Sequence, residues 1–99
     1  MDIMITSKDN EMFFVNKNVI TLGPNNSCNF KLDLQYDILL SIQYDFLTKS
    51  YFLLNHFANP NVLFCHKPLK KLELGQFNRI LFKNSDEFIT IRVLERISA

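Results

Sequence analysis

The sequence predicts an all-β protein, a two-sheet β-sandwich of about ten short, mainly antiparallel strands. Three observations predict it. Along residues 38–46, Leu40, Ile42, Tyr44 and Phe46 fall on one face and Leu39, Ser41, Gln43 and Asp45 on the other. That is the two-residue period of a strand with one buried face. Clusters of turn-forming residues recur at roughly 8–12-residue spacing along the chain. A helix over 38–46 would need apolar residues three and four apart, and Gln43 and Asp45 spoil that stripe. Each sheet then has one apolar face, and two such faces cover each other.

Residues 2–6 read as a short apolar strand, 7–10 as a polar turn and 11–15 (EMFFV) as a second strand, so the chain opens with a hairpin. Residues 16–18 turn it again. The stretch 18–32, NVITLGPNNSCNFKL, organises the rest. Val19, Ile20, Thr21 and Leu22 are β-branched or apolar and read as strand. Gly23, Pro24, Asn25, Asn26 and Ser27 cannot continue it, because Pro fixes φ and removes an amide donor while Gly and Asn tolerate positive φ. Residues 28–32 alternate again and read as the next strand. The turn is long and polar for a simple connection, which makes it the first place to look for a binding loop.

Residues 33–37 are a mixed connection ahead of the strand at 38–46, and 47–50 turn the chain. Residues 51–55 (YFLLN) read as an apolar, central strand. A loop at 56–60 leads to a short strand at 61–65, ended by His66, Lys67 and Pro68. Residues 69–74 read as a weak strand or extended connection, with a turn at Gly75 and Gln76. The strand ending at Phe82 places Ile80 and Phe82 on one face and Arg79, Leu81 and Lys83 on the other. After the turn at 84–86, residues 87–94 close the fold with Ile89, Ile91 and Val93 inward and Thr90 and Arg92 outward. The tail, 95–99, reads as frayed or truncated. Asn does most of the turn work, since the chain holds only two glycines. The ten phenylalanines read as mostly core, with Phe57, in a loop, the exposed exception.

Ninety-nine residues make a single domain, 1–99, with one core. A net charge of +1 leaves no electrostatic footprint for nucleic acid or an anionic membrane. Apolar runs fall far short of the ~20 residues of a membrane span. The opening Met1-Asp2-Ile3-Met4 has no basic head of a signal peptide. Two cysteines, Cys28 and Cys65, are too few for a disulfide framework. They read as reduced thiols of a cytoplasmic protein, with a single bridge as the other possibility.

Three stretches, taken together, resemble the forkhead-associated (FHA) domain. ITLGPNNSCNFKLD, residues 20–33, looks like that family's strand, Gly, Arg, short polar loop, Cys-Asp-Ile and strand ending in Leu-Asp. NPNVLFCHKPLKKLEL, residues 59–74, resembles its Asn-Gly-Thr, aromatic, Val and Asn-Gly-Lys, then a Leu-containing strand. LGQFNRILFKNSDEFITIRV, residues 74–93, is similar to its closing strand pair, especially as carried by cargo-transporting kinesins. The resemblance implies an FHA/SMAD-like sandwich that binds phosphothreonine peptides through loops at one end. On that reading Asn25, Asn26, Ser27, Ser41, Asn59 and Asn61 are the apical binding residues.

The departures define the expected function. The family's Arg falls at Pro24, which can neither donate nor carry charge. Its Ser-x-x-His is lost: one register keeps Ser41 without the His, and the other leaves Tyr36 and Leu39. Cys65-His66 stands where the family has Asn-Gly. Charge-assisted hydrogen bonds to phosphate are worth roughly 1.5–3 kcal/mol each, so their loss removes most phospho-dependence. The expected function is thus a phospho-independent protein-interaction scaffold. Two alternatives stay open. One is a phosphothreonine reader using Lys17, Lys31 or Arg79 in place of the Arg. The other is a structural head of a larger assembly, as in the degenerate versions on inner-membrane ring proteins of type III secretion, or of a cytoskeletal motor.

No catalytic set, cofactor or metal is expected. A nucleophile, base and oxyanion site are not spaced for one pocket, and there is no Gly-rich phosphate loop. Adjacent Cys65 and His66 on a strand would point to opposite faces, an arrangement that rarely lets two side chains share an ion. The expected partner is a protein or peptide, phosphorylated or not, with an oligomer or a longer chain left open.

Overall fold

The computed structural model describes residues 2–94, so the tail at 95–99 lies outside the described residues. It is all-β, with eleven strands: β1 (Asp2–Ser7), β2 (Glu11–Val15), β3 (Val19–Gly23), β4 (Phe30–Lys31), β5 (Leu40–Asp45), β6 (Ser50–Asn55), β7 (Val62–Phe64), β8 (Lys67–Pro68), β9 (Lys71–Glu73), β10 (Phe77–Phe82) and β11 (Phe88–Leu94). One sheet has the order β2-β1-β11-β10-β7-β8 and the other β4-β3-β5-β6-β9. All but one of the pairings are antiparallel, so this is the expected two-sheet sandwich.

Alternation explains the core. Ile3 and Ile5 on β1, Ile80 and Phe82 on β10, and Ile89 and Ile91 on β11 point inward from the first sheet. Ile20 and Leu22 on β3, Leu40 and Ile42 on β5, and Tyr51 and Leu53 on β6 meet them from the second. Each such aliphatic side chain contributes about 1.5–3 kcal/mol relative to exposure.

The phenylalanines correct the sequence reading. Only Phe14, Phe30 and Phe82 are buried, while Phe13, Phe46, Phe57 and Phe77 are exposed. The period of two is the reason: a Phe next to a buried residue on a strand must face out. Outward Phe52 and Phe88 are covered by cations instead, Lys71 Nζ 4.7 Å and the Arg79 guanidinium 4.8 Å from their ring centroids. Phe46 is exposed because β5 stops at Asp45, whose Oδ1 accepts the Leu47 amide to start the turn. Leu39, in the connection just before β5, and Leu81, on β10 of the other sheet, are both half-buried.

The organising stretch also differs. The strand expected at 28–32 shrinks to Phe30–Lys31, and it runs parallel to β3, with Leu22 opposite Phe30. Asn29 makes this possible. Its Oδ1 accepts both the amide and the hydroxyl of Thr21, and its own amide donates to Thr21 Oγ1. One side chain thus does the work of a ladder rung while the loop turns back on itself. The strand expected at 61–65 ends at Phe64, because Cys65 and His66 have φ of 51° and 66°. They form a two-residue hairpin loop to β8, which the sequence reading had missed. Cys65 is exposed and in a turn, so it is neither a buried thiol nor a strand residue.

Candidate functional site

Three connections meet at one end of the sandwich: the β3–β4 loop, the β4–β5 connection and the β6–β7 loop. Gly23 ends β3 there because nothing larger fits. A Cβ on it would lie 2.8 Å from the Ile38 carbonyl oxygen and 3.2 Å from Cys28 Sγ. This close approach sets the distance between the first two connections.

Within the β3–β4 loop, Asn25 Oδ1 accepts the Ser27 amide at 2.9 Å and its carbonyl accepts the Cys28 amide at 3.1 Å. This local turn leaves Asn25, Asn26 and Ser27 exposed. The β6–β7 loop is held from below by Asn55, buried at the end of β6. Its Nδ2 donates to the carbonyls of Asn59 (3.0 Å) and Leu69 (2.9 Å). Asn59 then ties two connections together: its Nδ2 donates to the Asp37 carbonyl at 3.2 Å, and its Oδ1 accepts the Asn61 amide at 2.9 Å. Gly23 and Asn59 therefore both reach the 37–38 segment.

Between these loops lies a cleft of about 230 Å³, lined by Asn25, Ser27, Cys28, Asp37, Ile38, Leu39 and Phe57. Its walls are polar on the β3–β4 side and apolar on the β6–β7 side. Phe57 is 59% exposed, as the sequence reading expected. The lining holds one acid, Asp37, and neither Lys nor Arg. None of Lys17, Lys31 and Arg79 lines the cleft, and the Arg79 guanidinium stacks on Phe88. Lys31 opens with Pro24 onto a different hollow, beside Asp9, Asp33 and Glu87. Glu87 is buried there, its carboxylate accepting the amides of Lys8, Asp33 and Phe88.

The six sequence-derived residues are thus split. Asn25 and Ser27 line the cleft, while Asn59 does not line it but ties its loop to the Asp37 carbonyl, and the Asn61 amide closes the Asn59 turn. Asn26 is exposed in the same loop. Ser41 is not on the rim. It lies on β5, 2% exposed, with Oγ 2.6 Å from His56 Nε2 and accepting from Gln43 Nε2 at 3.0 Å. His56 is itself anchored by its amide to the Leu39 carbonyl. A Ser–His pair invites a nucleophilic reading, but attack needs an accessible oxygen, and this one is covered by its own partners. The pair instead clips the start of the β6–β7 loop to the face of β5. Sequence reasoning had no signal for it, since the partners are 15 residues apart. Asn55 did leave one: a lone polar residue closing an apolar run.

Searches against protein-family models, curated proteins and solved structures return no match for this chain. Among the described residues, no three His, Cys, Asp or Glu side chains are grouped to hold a metal ion, and no helix is long and apolar enough to cross a membrane.

Proposed function

We propose that this chain is a non-catalytic protein-interaction module, a degenerate FHA-like domain that engages a protein or peptide through the cleft between its β3–β4 and β6–β7 loops without needing a phosphate. One observation carries the reading: the cleft offers Asp37 and the exposed ring of Phe57 but no cationic side chain. A phosphoryl dianion there would meet a carboxylate rather than a guanidinium, whereas an apolar side chain of a peptide would meet Phe57, Leu39 and Ile38. Asn25 and Ser27 would supply neutral hydrogen bonds to its backbone. The Gly23 and Asn59 loops at one end of a two-sheet sandwich are what the FHA resemblance implies, and they support it. The unbridged thiols of Cys28 and Cys65 support a reducing, cytoplasmic setting.

The test is capture from native lysate with and without phosphatase, followed by titration of matched phosphothreonine and threonine peptides. Binding is expected to be indifferent to phosphatase and weakened by Phe57→Ala. Binding that phosphatase abolishes, or that is tighter for the phosphothreonine peptide than for its threonine match, would overturn the reading. The structural-head alternative draws support from a separate feature, the apolar outer edge at β2.

A further inference from the structure

The two sheets have four edge strands, and three of them are blunted. β4 has two residues and ends in Lys31; β8 is Lys67–Pro68; β9 is three residues, two of them charged. Short length, Lys and Pro are the devices that keep an exposed strand from pairing with another chain. β2 has none of them. It is five residues long, EMFFV, with no Lys and no Pro, and its register with β1 is unbroken from Val15 opposite Asp2 to Glu11 opposite Thr6, so no bulge turns it away. It also presents apolar side chains on both faces. Phe13 and Val15 are 50% and 48% exposed on the outer face, and Met12 is 36% exposed on the inner one, beyond the cover of the second sheet.

We propose that β2 pairs antiparallel with β2 of a second copy of this chain, about a two-fold axis at Phe13, joining two six-stranded sheets into one. The strand is complementary to itself in this arrangement. Phe13 meets its own copy on the outer face. Met12 meets the copy's Phe14 on the inner face, which covers what the second sheet leaves open. Glu11 meets the copy's Val15. The only charges in the paired segment are the two Glu11 carboxylates, and they lie at opposite ends. Four residues at ~3.4 Å set them about 14 Å apart along the strand, beyond the screening length of about 8–10 Å. A parallel pairing in register would stack them. Beyond the strand the charges also complement: Asp9 precedes it and Lys17 follows, so an antiparallel copy brings acid to base. The net charge of +1 sets no general repulsion between copies. This surface lies on β2 and does not depend on the reading of the loop cleft.

The test uses the full chain. Sedimentation equilibrium over a broad dilution series is expected to show a reversible rise from 11.7 kDa towards twice that mass. Phe13→Lys places two cations opposite each other at the axis and is expected to weaken self-association by about tenfold or more. Circular dichroism checks that this variant keeps its fold. Should it unfold, a pair of single cysteines in a Cys28→Ser, Cys65→Ser background decides the matter. Phe13→Cys is expected to close an intermolecular disulfide on mild oxidation, because paired strands bring opposed Cα atoms within the ~4.4–6.8 Å that a disulfide spans. Val15→Cys, equally exposed, is expected not to, its copy being about 14 Å away. A monomer at every concentration, a dimer indifferent to Phe13→Lys, or equal cross-linking at the two positions would overturn the proposal. So would a monomer that takes up a foreign extended strand along β2.

Discussion

Replacing Asn55 by alanine isolates the support beneath the loop cleft. The change deletes two hydrogen bonds, to the carbonyls of Asn59 and Leu69. Asn59 O keeps the Val62 amide at 3.3 Å, so its loss is that of one ordinary bond, about 1 kcal/mol. Leu69 O loses its side-chain donor in a buried place, which costs about 2 kcal/mol. One gain offsets this: Asn55 Oδ1 is buried and has no partner, so removing it recovers about 1 kcal/mol of desolvation. The net expectation is about 2 kcal/mol of destabilisation, or a Tm lower by about 10 °C for a chain of this length. Urea unfolding followed by circular dichroism reads it directly. A loss below about 0.5 kcal/mol, the range of an unremarkable surface change, would refute the reasoning. Asn55→Asp sharpens the test, because a carboxylate has the same shape but no donor. Burial raises its pKa in the folded state. Its deficit relative to the parent should therefore be smallest at acid pH, where a protonated carboxyl can still donate once, and grow as pH rises through that value.

The remaining expectations concern turns, loops and alkaline stability. Both central residues of the β7–β8 turn have positive φ, so Cys65→Asn with His66→Gly should stabilise the fold by about 1–2 kcal/mol in thermal unfolding, and no gain would contradict the turn geometry. Gly23→Ala forces the Ile38 carbonyl away and should cost about 1–3 kcal/mol while displacing the amide resonances of residues 37–39; a neutral effect would mean that the loops are not in contact. Burial raises the phenol pKa of Tyr36, and burial, then the Tyr44 and Asp2 charges, raise that of Tyr51 above 10.0. A folded-state pKa above the unfolded one gives stability that is complete below about pH 10 and is lost as pH rises through the folded value. The Tyr51→Phe, Tyr36→Phe double variant should accordingly lose part of the parent's alkaline decline, and an unchanged pH profile above 10 would count against it.

What residue order determined here is what neighbours along the chain decide between themselves. The alternation at 38–46 and 87–94 fixes which side chains face inward, because successive strand residues point to opposite faces. Asn16 and Asn84 take the positive φ of their turns at low cost, and Asn25 and Asn59 make theirs by accepting the amide two residues on, whereas Lys49 and Ala58 take positive φ against local preference. The class of fold and the loops Asn25–Ser27 and Asn59–Asn61 follow from such local rules. The exceptions are also physical: Cys65-His66 takes a turn geometry that local preference opposes, and β4 pairs parallel because Asn29 reaches across to Thr21. Tertiary structure decided what depends on distant partners. Ser41 looked like a rim residue until His56 covered it, and Pro24 opens beside Glu87 rather than onto the cleft. The absence of a cation from the cleft lining and the unguarded edge of β2 are likewise outcomes of sheet order. That order is set by pairings between strands as far apart as β1 and β11, whose partners no local pattern names.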